Sequence, residues 1–150
     1  PDTSNEKIQK ISENTFDISE YLVYLDKKDL LKKDFKNPIG IVNYHVSCHL
    51  KAQQMGFKGR DILRLVPDTK VNLINRCSGM DGGWGMKSEY FDTSMKVAER
   101  CVNDLNQKES DIACSDCSLA SHQLKQASDG EVMPSHPVIE LHKAYGIKNN

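Results

Sequence analysis

The sequence predicts an α/β domain, three-layer-like in arrangement, with a small and mainly parallel sheet and a helical segment before it. Three observations carry that reading. Apolar, β-rich runs stand at IGIVNYHVSC (residues 39–48), KVNLIN (residues 70–75) and DIAC (residues 111–114), and stretches of helical periodicity separate them. A β-α-β-α-β-α order favours parallel strands joined by right-handed crossovers. The chain has 150 residues, of which 38% are hydrophobic and 27% charged, which is enough apolar material for the core of one ordinary globular domain.

Each element has its own local reason. Residues 1–37 form the N-terminal helical segment, where Ile11, Ile18, Leu22 and Leu25 fall on one face and DISE (Asp17 to Glu20) offers a capping box. Residues 38–150 form the α/β domain itself. The first strand ends at Cys48, and RDILRL, closed by Pro67, reads as the helix leading to the second strand. A long helical stretch from about Lys87 to Asn106 precedes the third strand, and Tyr90, Ser94, Val97, Cys101 and Leu105 lie along it at helical spacing as a core stripe. A helix follows around Leu119 to Gln126. The last helix runs from Pro137 to Tyr145, with proline in its first turn and Gly146 at the position past its end. The expected flexible loop is Ala127 to Ser135.

A net charge of −1 with both signs interspersed leaves no electrostatic footprint for nucleic acid. No apolar run approaches the roughly 18 residues of a direct membrane span. The start, PDTSNEKIQK, lacks the basic and apolar regions of a secretory signal, so the expected compartment is the cytoplasm. A first residue Pro1 in place of methionine suggests an excised piece of something longer.

Five cysteines, Cys48, Cys77, Cys101, Cys114 and Cys117, form an odd set. In a chain without a secretory signal they read as metal ligands or redox groups rather than a disulfide framework. Cys101 belongs to the core stripe. The other four stand at the carboxyl ends of the three strands, the edge where open parallel sheets bind ligands, so Cys48, Cys77, Cys114 and Cys117 are the expected metal ligands. Sulfur donors suit an iron–sulfur cluster or zinc. The loop Ser78-Gly79-Met80-Asp81-Gly82-Gly83-Trp84-Gly85 would let backbone N–H groups approach such a centre, which makes Ser78, Gly79, Gly82, Gly83 and Gly85 cofactor-binding candidates. Two other readings stay open: a thioredoxin-like dithiol at Cys114-x-x-Cys117, opposed by the acidic Asp116, and an anion cradle in the glycine run, which fits neither nucleotide fingerprint. His45, His49 and His122 are polar rim residues or nitrogen donors, and His136 marks a helix start.

The motifs YHVSCHLKAQ (residues 44–53), RCSGMDGGWGMKSE (residues 76–89), DIACSDCSLASHQL (residues 111–124) and HPVIELHKAYG (residues 136–146) together resemble the cysteine-rich CCG domain of the family typified by the B subunit of heterodisulfide reductase. That family includes the C subunit of anaerobic glycerol-3-phosphate dehydrogenase. The resemblance runs in order from Ile39 to Ile147. It implies ligation by Cys48, Cys77, Cys114 and Cys117, with Ser78 standing where the family has a second adjacent cysteine. The five-cysteine pattern implies a non-cubane four-iron cluster; four cysteines imply a conventional cluster or structural zinc. The implied role is an electron-transfer component of a multi-subunit oxidoreductase, dependent on other subunits or missing domains and reaching the membrane only through them. The alternatives are a zinc-binding docking domain and a thiol–disulfide redox protein.

Overall fold

A computed structural model describes residues 5–147, so the start at Pro1 lies outside the described residues. Three strands, β1 (Ile41–His45), β2 (Lys70–Ile74) and β3 (Ile112–Ser115), form one wholly parallel sheet in the order β2-β1-β3. Among the described residues seven α-helices accompany them: α1 (Glu6–Glu13), α2 (Ile18–Lys27), α3 (Cys48–Ala52), α4 (Lys58–Leu63), α5 (Phe91–Gln107), α6 (Ser118–Ala127) and α7 (Pro137–Ala144). The α/β class and the parallel sheet expected from the sequence are what is found.

The first strand is shorter than the run that announces it. Pairing stops at His45, and Cys48 is the first residue of α3 rather than the last of a strand. The N-terminal segment is two helices, not one continuous face. Ile11 is 67% exposed and α1 buries no residue, whereas Leu22 and Val23 of α2 pack on Ile62, Val66, Leu141 and Ala144. Asp17 caps α2 by accepting from the Ser19 N–H, a one-sided version of the expected box.

Strand alternation gives the sheet two distinct faces. Val42 and Tyr44 of β1 share a face with Val71 and Leu73 of β2 and with Ile112 and Cys114 of β3, and this side packs on Leu50 and Leu63. The residues between them, Asn43 and His45, Asn72 and Ile74, Ala113 and Ser115, look the other way. There Ile74 and Ala113 meet Ala98, Cys101, Val102 and Leu105 of α5 and Leu124 of α6. Cys101 is fully buried as the core stripe requires, and burial pushes its thiol up to about 12.

The segment expected to be a flexible loop is stitched down. Ser128 Oγ accepts from the Val132 N–H and donates to the Leu124 carbonyl, and Ser135 exchanges backbone bonds with Ala113 and Ser115, extending the sheet edge. Among the described residues no helix is long and apolar enough to cross a membrane.

One buried amide fixes where α5 ends. Asn43 Nδ2 donates to the Leu105 carbonyl at 2.7 Å and the Lys108 carbonyl at 2.8 Å, and its Oδ1 accepts from Asn72 at 3.0 Å. Removing it leaves acceptors buried without donors, which costs the full desolvation penalty of each. Asn43→Ala is expected to destabilise the chain by about 2–4 kcal/mol in urea unfolding. A loss below about 0.5 kcal/mol would mean that water replaces the amide at no cost.

Candidate metal centre

The carboxyl ends of the three parallel strands deliver three loops to one edge. After β1 the chain turns through Val46 and Ser47 straight into α3, which puts Cys48 in the first turn. After β2 it runs through Asn75, Arg76 and Cys77 into the glycine-rich loop. After β3, Asp116 leads to Cys117, the N-cap of α6, whose sulfur accepts from the Ala120 N–H at 3.4 Å. Cys77 Sγ likewise accepts from the Gly79 N–H at 3.4 Å. Cys48 and Cys77 are exposed and Cys117 is half-buried.

Between these loops lies a cavity of about 330 Å³ whose wall includes His45, Ser47, Cys48, His49, Ser78, Gly82, Cys117 and Ala120. Ser78, only 4% exposed, contributes to the wall, while Cys77 beside it does not. The four expected ligands therefore divide. Cys48 and Cys117 share the cavity, whereas Cys77, next to Ser78 in the chain, does not line it. Cys114 does not line it, because its place in β3 pairs it with Tyr44 and puts its sulfur in the apolar cluster with Val42, Leu50 and Leu63. Burial pushes that thiol up to about 12. Its sulfur lies 3.6 Å from Ser135 Oγ, which in turn donates to Glu140 at 2.7 Å, so the Cys114 S–H is the donor in the chain.

The glycines serve separate ends. Gly79 has φ +79, and a Cβ there would collide with the Ser94 carbonyl of α5; a Cβ on Gly85 would come within 2.6 Å of the Gly79 carbonyl in the same loop. Ser94 Oγ donates to that same carbonyl at 2.9 Å and accepts from Gln123. Gly82 and Gly83 have open space around their Cα atoms. The close packing of Gly79 is therefore against helix α5, that of Gly85 is within the loop, and only Gly82 of the four lines the cavity.

Beneath the cavity runs a polar network that spacing alone did not reveal. His45 is buried, which holds its imidazole below the usual pKa even though the Arg76 carbonyl pulls the other way. His45 Nε2 stands 3.1 Å from the Arg76 carbonyl and Nδ1 stands 3.0 Å from Ser115 Oγ. A carbonyl can only accept, so Nε2 carries the proton and Nδ1 accepts from the serine hydroxyl. Ser115 Oγ also accepts from the Cys117 N–H at 3.3 Å and lies 3.3 Å from Ser47 Oγ. On the opposite face, Asp116 accepts from Tyr44 Oη and from Ser19 Oγ of α2, against Gly59 of α4. Burial raises the Asp116 carboxyl above its usual range, and the Tyr44 bond offsets part of that. Periodic apolar residues are a legible signal in sequence; a strand-end histidine and three serines are not.

No three His, Cys, Asp or Glu side chains among the described residues stand together closely enough to hold a metal ion as arranged. The donors at the edge nevertheless fit a sulfur-ligated centre in kind: Cys48, Cys77 and Cys117 are soft ligands on loops, none fixed by core packing, and two already accept backbone N–H groups. A closed four-cysteine centre does not fit, because Cys114 would have to leave the core.

The family model described as the cysteine-rich domain, CCG, matches residues 42–125, more than half of the chain, and the chain belongs to that family. Two curated relatives are the C subunits of anaerobic glycerol-3-phosphate dehydrogenase from Escherichia coli strain K12 and from Escherichia coli O157:H7, each 23% identical over 108 residues. The matched region is 71% of this chain and 26% of each relative, so the chain spans about a quarter of their length. No solved structure matches.

The glycine geometry and the thiol burial each yield an expected outcome. Gly79→Ala should destabilise by about 2 kcal/mol or more, since it adds a backbone collision to a left-handed penalty of roughly 1–2 kcal/mol, while Gly82→Ala should cost only about that penalty. Equal losses in urea unfolding would mean that the contact with Ser94 is soft. Under reducing conditions iodoacetamide should modify Cys48 and Cys77 first and Cys117 more slowly, with Cys101 and Cys114 protected until the chain unfolds. Peptide mass spectrometry reads the order, and early labelling of Cys114 would contradict its core placement.

Proposed function

We propose that this member of the cysteine-rich CCG family is an iron–sulfur electron-transfer domain of a multi-subunit oxidoreductase, working as a relay rather than as a self-sufficient catalyst. The observation that carries the reading is the delivery of Cys48, Cys77 and Cys117 by three parallel strand ends to one edge, with two of the sulfurs already accepting backbone N–H groups. The curated relatives, each one component of a dehydrogenase, add support for a partner-dependent role. Other oxidoreductase subunits or further domains are the proposed partners, and a cytoplasmic location, peripheral to the membrane through those partners, goes with them.

When bound, an iron–sulfur centre takes up and releases single electrons. Cys48, Cys77 and Cys117 would hold it. The N–H groups of Gly79 and Ala120 bond to two of these sulfurs, and such bonds stabilise the more negative, reduced state and so raise a reduction potential. Ser78 contributes to the cavity wall where the family pattern has a thiolate. Its harder hydroxyl stays protonated near neutral pH, which removes one sulfur from the centre and favours relay over disulfide chemistry. A Cys114–Cys117 dithiol is disfavoured, because the Cys114 thiol is buried with its pKa raised.

A structural zinc site is the second reading, and His49 motivates it. This imidazole lines the cavity beside Cys48 and would complete a three-cysteine, one-histidine set.

Metal and acid-labile sulfide analysis of anaerobically purified chain separates the readings: iron with sulfide for the relay, zinc without sulfide for the docking domain, neither for a thiol enzyme. Cys48→Ser, Cys77→Ser and Cys117→Ser are each expected to lose most of the iron, while Cys114→Ser and Cys101→Ser retain it and lose only packing stability. Iron loss in Cys114→Ser at unchanged fold would restore a four-cysteine centre.

A further inference from the structure

We infer that His45 is a positioning residue: a neutral imidazole, protonated at Nε2, that clamps the three cysteine-bearing loops into one frame. The inference concerns the geometry of the edge and rests on the proposed cysteine site only for its purpose. His45 ends the central strand, so it has a paired strand on each side of it, with Ile74 of β2 and Ser115 of β3 as its neighbours. From that place Nε2–H donates to the Arg76 carbonyl, one residue before Cys77. Nδ1 accepts from Ser115 Oγ. The serine's single proton is then committed to the imidazole, so its oxygen must receive the other two contacts, from the Cys117 N–H and from the Ser47 hydroxyl, one residue before Cys48.

With the imidazole neutral, one set of proton positions satisfies every member. Ser47 donates to Ser115, Ser115 donates to His45, and His45 donates to Arg76. The direction of the chain is set by its last acceptor, a carbonyl; Ser47 directly precedes Cys48, Arg76 directly precedes Cys77, and the Cys117 N–H itself donates to Ser115. His45, Ser115 and Ser47 are each only 1% exposed, so water does not compete for these bonds. A side chain that merely filled the core would need neither nitrogen. Here each nitrogen addresses a different loop, which makes the two halves of the clamp separable.

Amide hydrogen exchange by NMR on the metal-free chain tests this with two variants that each keep one half. Asparagine places its carbonyl oxygen near the position of Nδ1, so His45→Asn should keep the bond from Ser115 and release Arg76. Glutamine places its amide nitrogen near the position of Nε2, so His45→Gln should keep Arg76 and release Ser115. The expected result is roughly tenfold faster exchange of the Cys117 amide in His45→Gln but not in His45→Asn, the size that loss of one net hydrogen bond produces. Changed exchange and chemical shifts in residues 75–79 should show the reverse pattern. Ser115→Ala, a smaller change that leaves the His45 to Arg76 bond in place, should reproduce the His45→Gln pattern. Uniform loosening of β1, β2 and β3 in both histidine variants would reduce His45 to core packing, and no change in either would remove the clamp altogether. Iron content is measured in parallel. A split exchange pattern in a chain that takes up no iron would leave the clamp standing and defeat the relay, whereas iron uptake with no split would do the opposite.

Discussion

The position of β1 between two parallel partners is the constraint on which the rest of this molecule depends. A central strand has no free backbone edge and both of its faces are covered, so every residue from Val42 to Ser47 is buried. Alternation then decides each fate. Val42 and Tyr44 join the apolar side, Asn43 and His45 the side of α5 and α6, and the polar members must find partners inside the protein. They do so at both ends of the strand: Asn43 closes the carbonyls at the end of α5, and His45 ties together the loops that leave the sheet. The same parity, carried across the register to β3, puts Cys114 with Tyr44 and Ser115 with His45.

The loops at the carboxyl edge are thus held by buried polar bonds rather than by apolar packing. Networks of this kind are stabilising only when every donor and acceptor is matched, and they specify one arrangement because a partial match is costly. On one face the match runs from Ser47 through Ser115 and His45 to Arg76; on the other, Asp116 joins Tyr44 of the central strand to Ser19 of α2. Asp116 lies directly before Cys117, so the loop that carries this cysteine is fastened from both faces of the sheet. The N-terminal helix α2 is in this way part of the support of the site, although it contributes no donor to it.

Exposed apolar side chains remain after the core is complete. Phe16, Tyr21 and Tyr24 form an aromatic group on the outside of the α2 region, with ring centroids 5.4–6.2 Å apart, and Ile11 lies uncovered on α1. Such a patch is more than a single stray residue.

What the sequence determined by itself is the order of elements and the edge at which cysteines gather. Short apolar runs alternating with helical periodicity leave few arrangements other than a parallel sheet, and a parallel sheet necessarily carries the loops that hold Cys48, Cys77 and Cys117 to one end. These are local signals, written in spacing. Three decisions belonged to the tertiary structure. Cys114 was indistinguishable from Cys117 by spacing, but a strand that ends at Ser115 rather than one residue earlier assigns it a face, and that face is the core. Gly79 and Gly85 were indistinguishable from Gly82 and Gly83, until the approach of α5 left no room for a Cβ at Gly79 and the Gly79 carbonyl left none at Gly85. His45 read as one polar residue among several, because its meaning lies in carbonyl and hydroxyl groups that are distant in sequence and meet only when three strands pair. Parity, close approach and hydrogen-bond direction are properties of pairs of segments, so no single segment could have declared them.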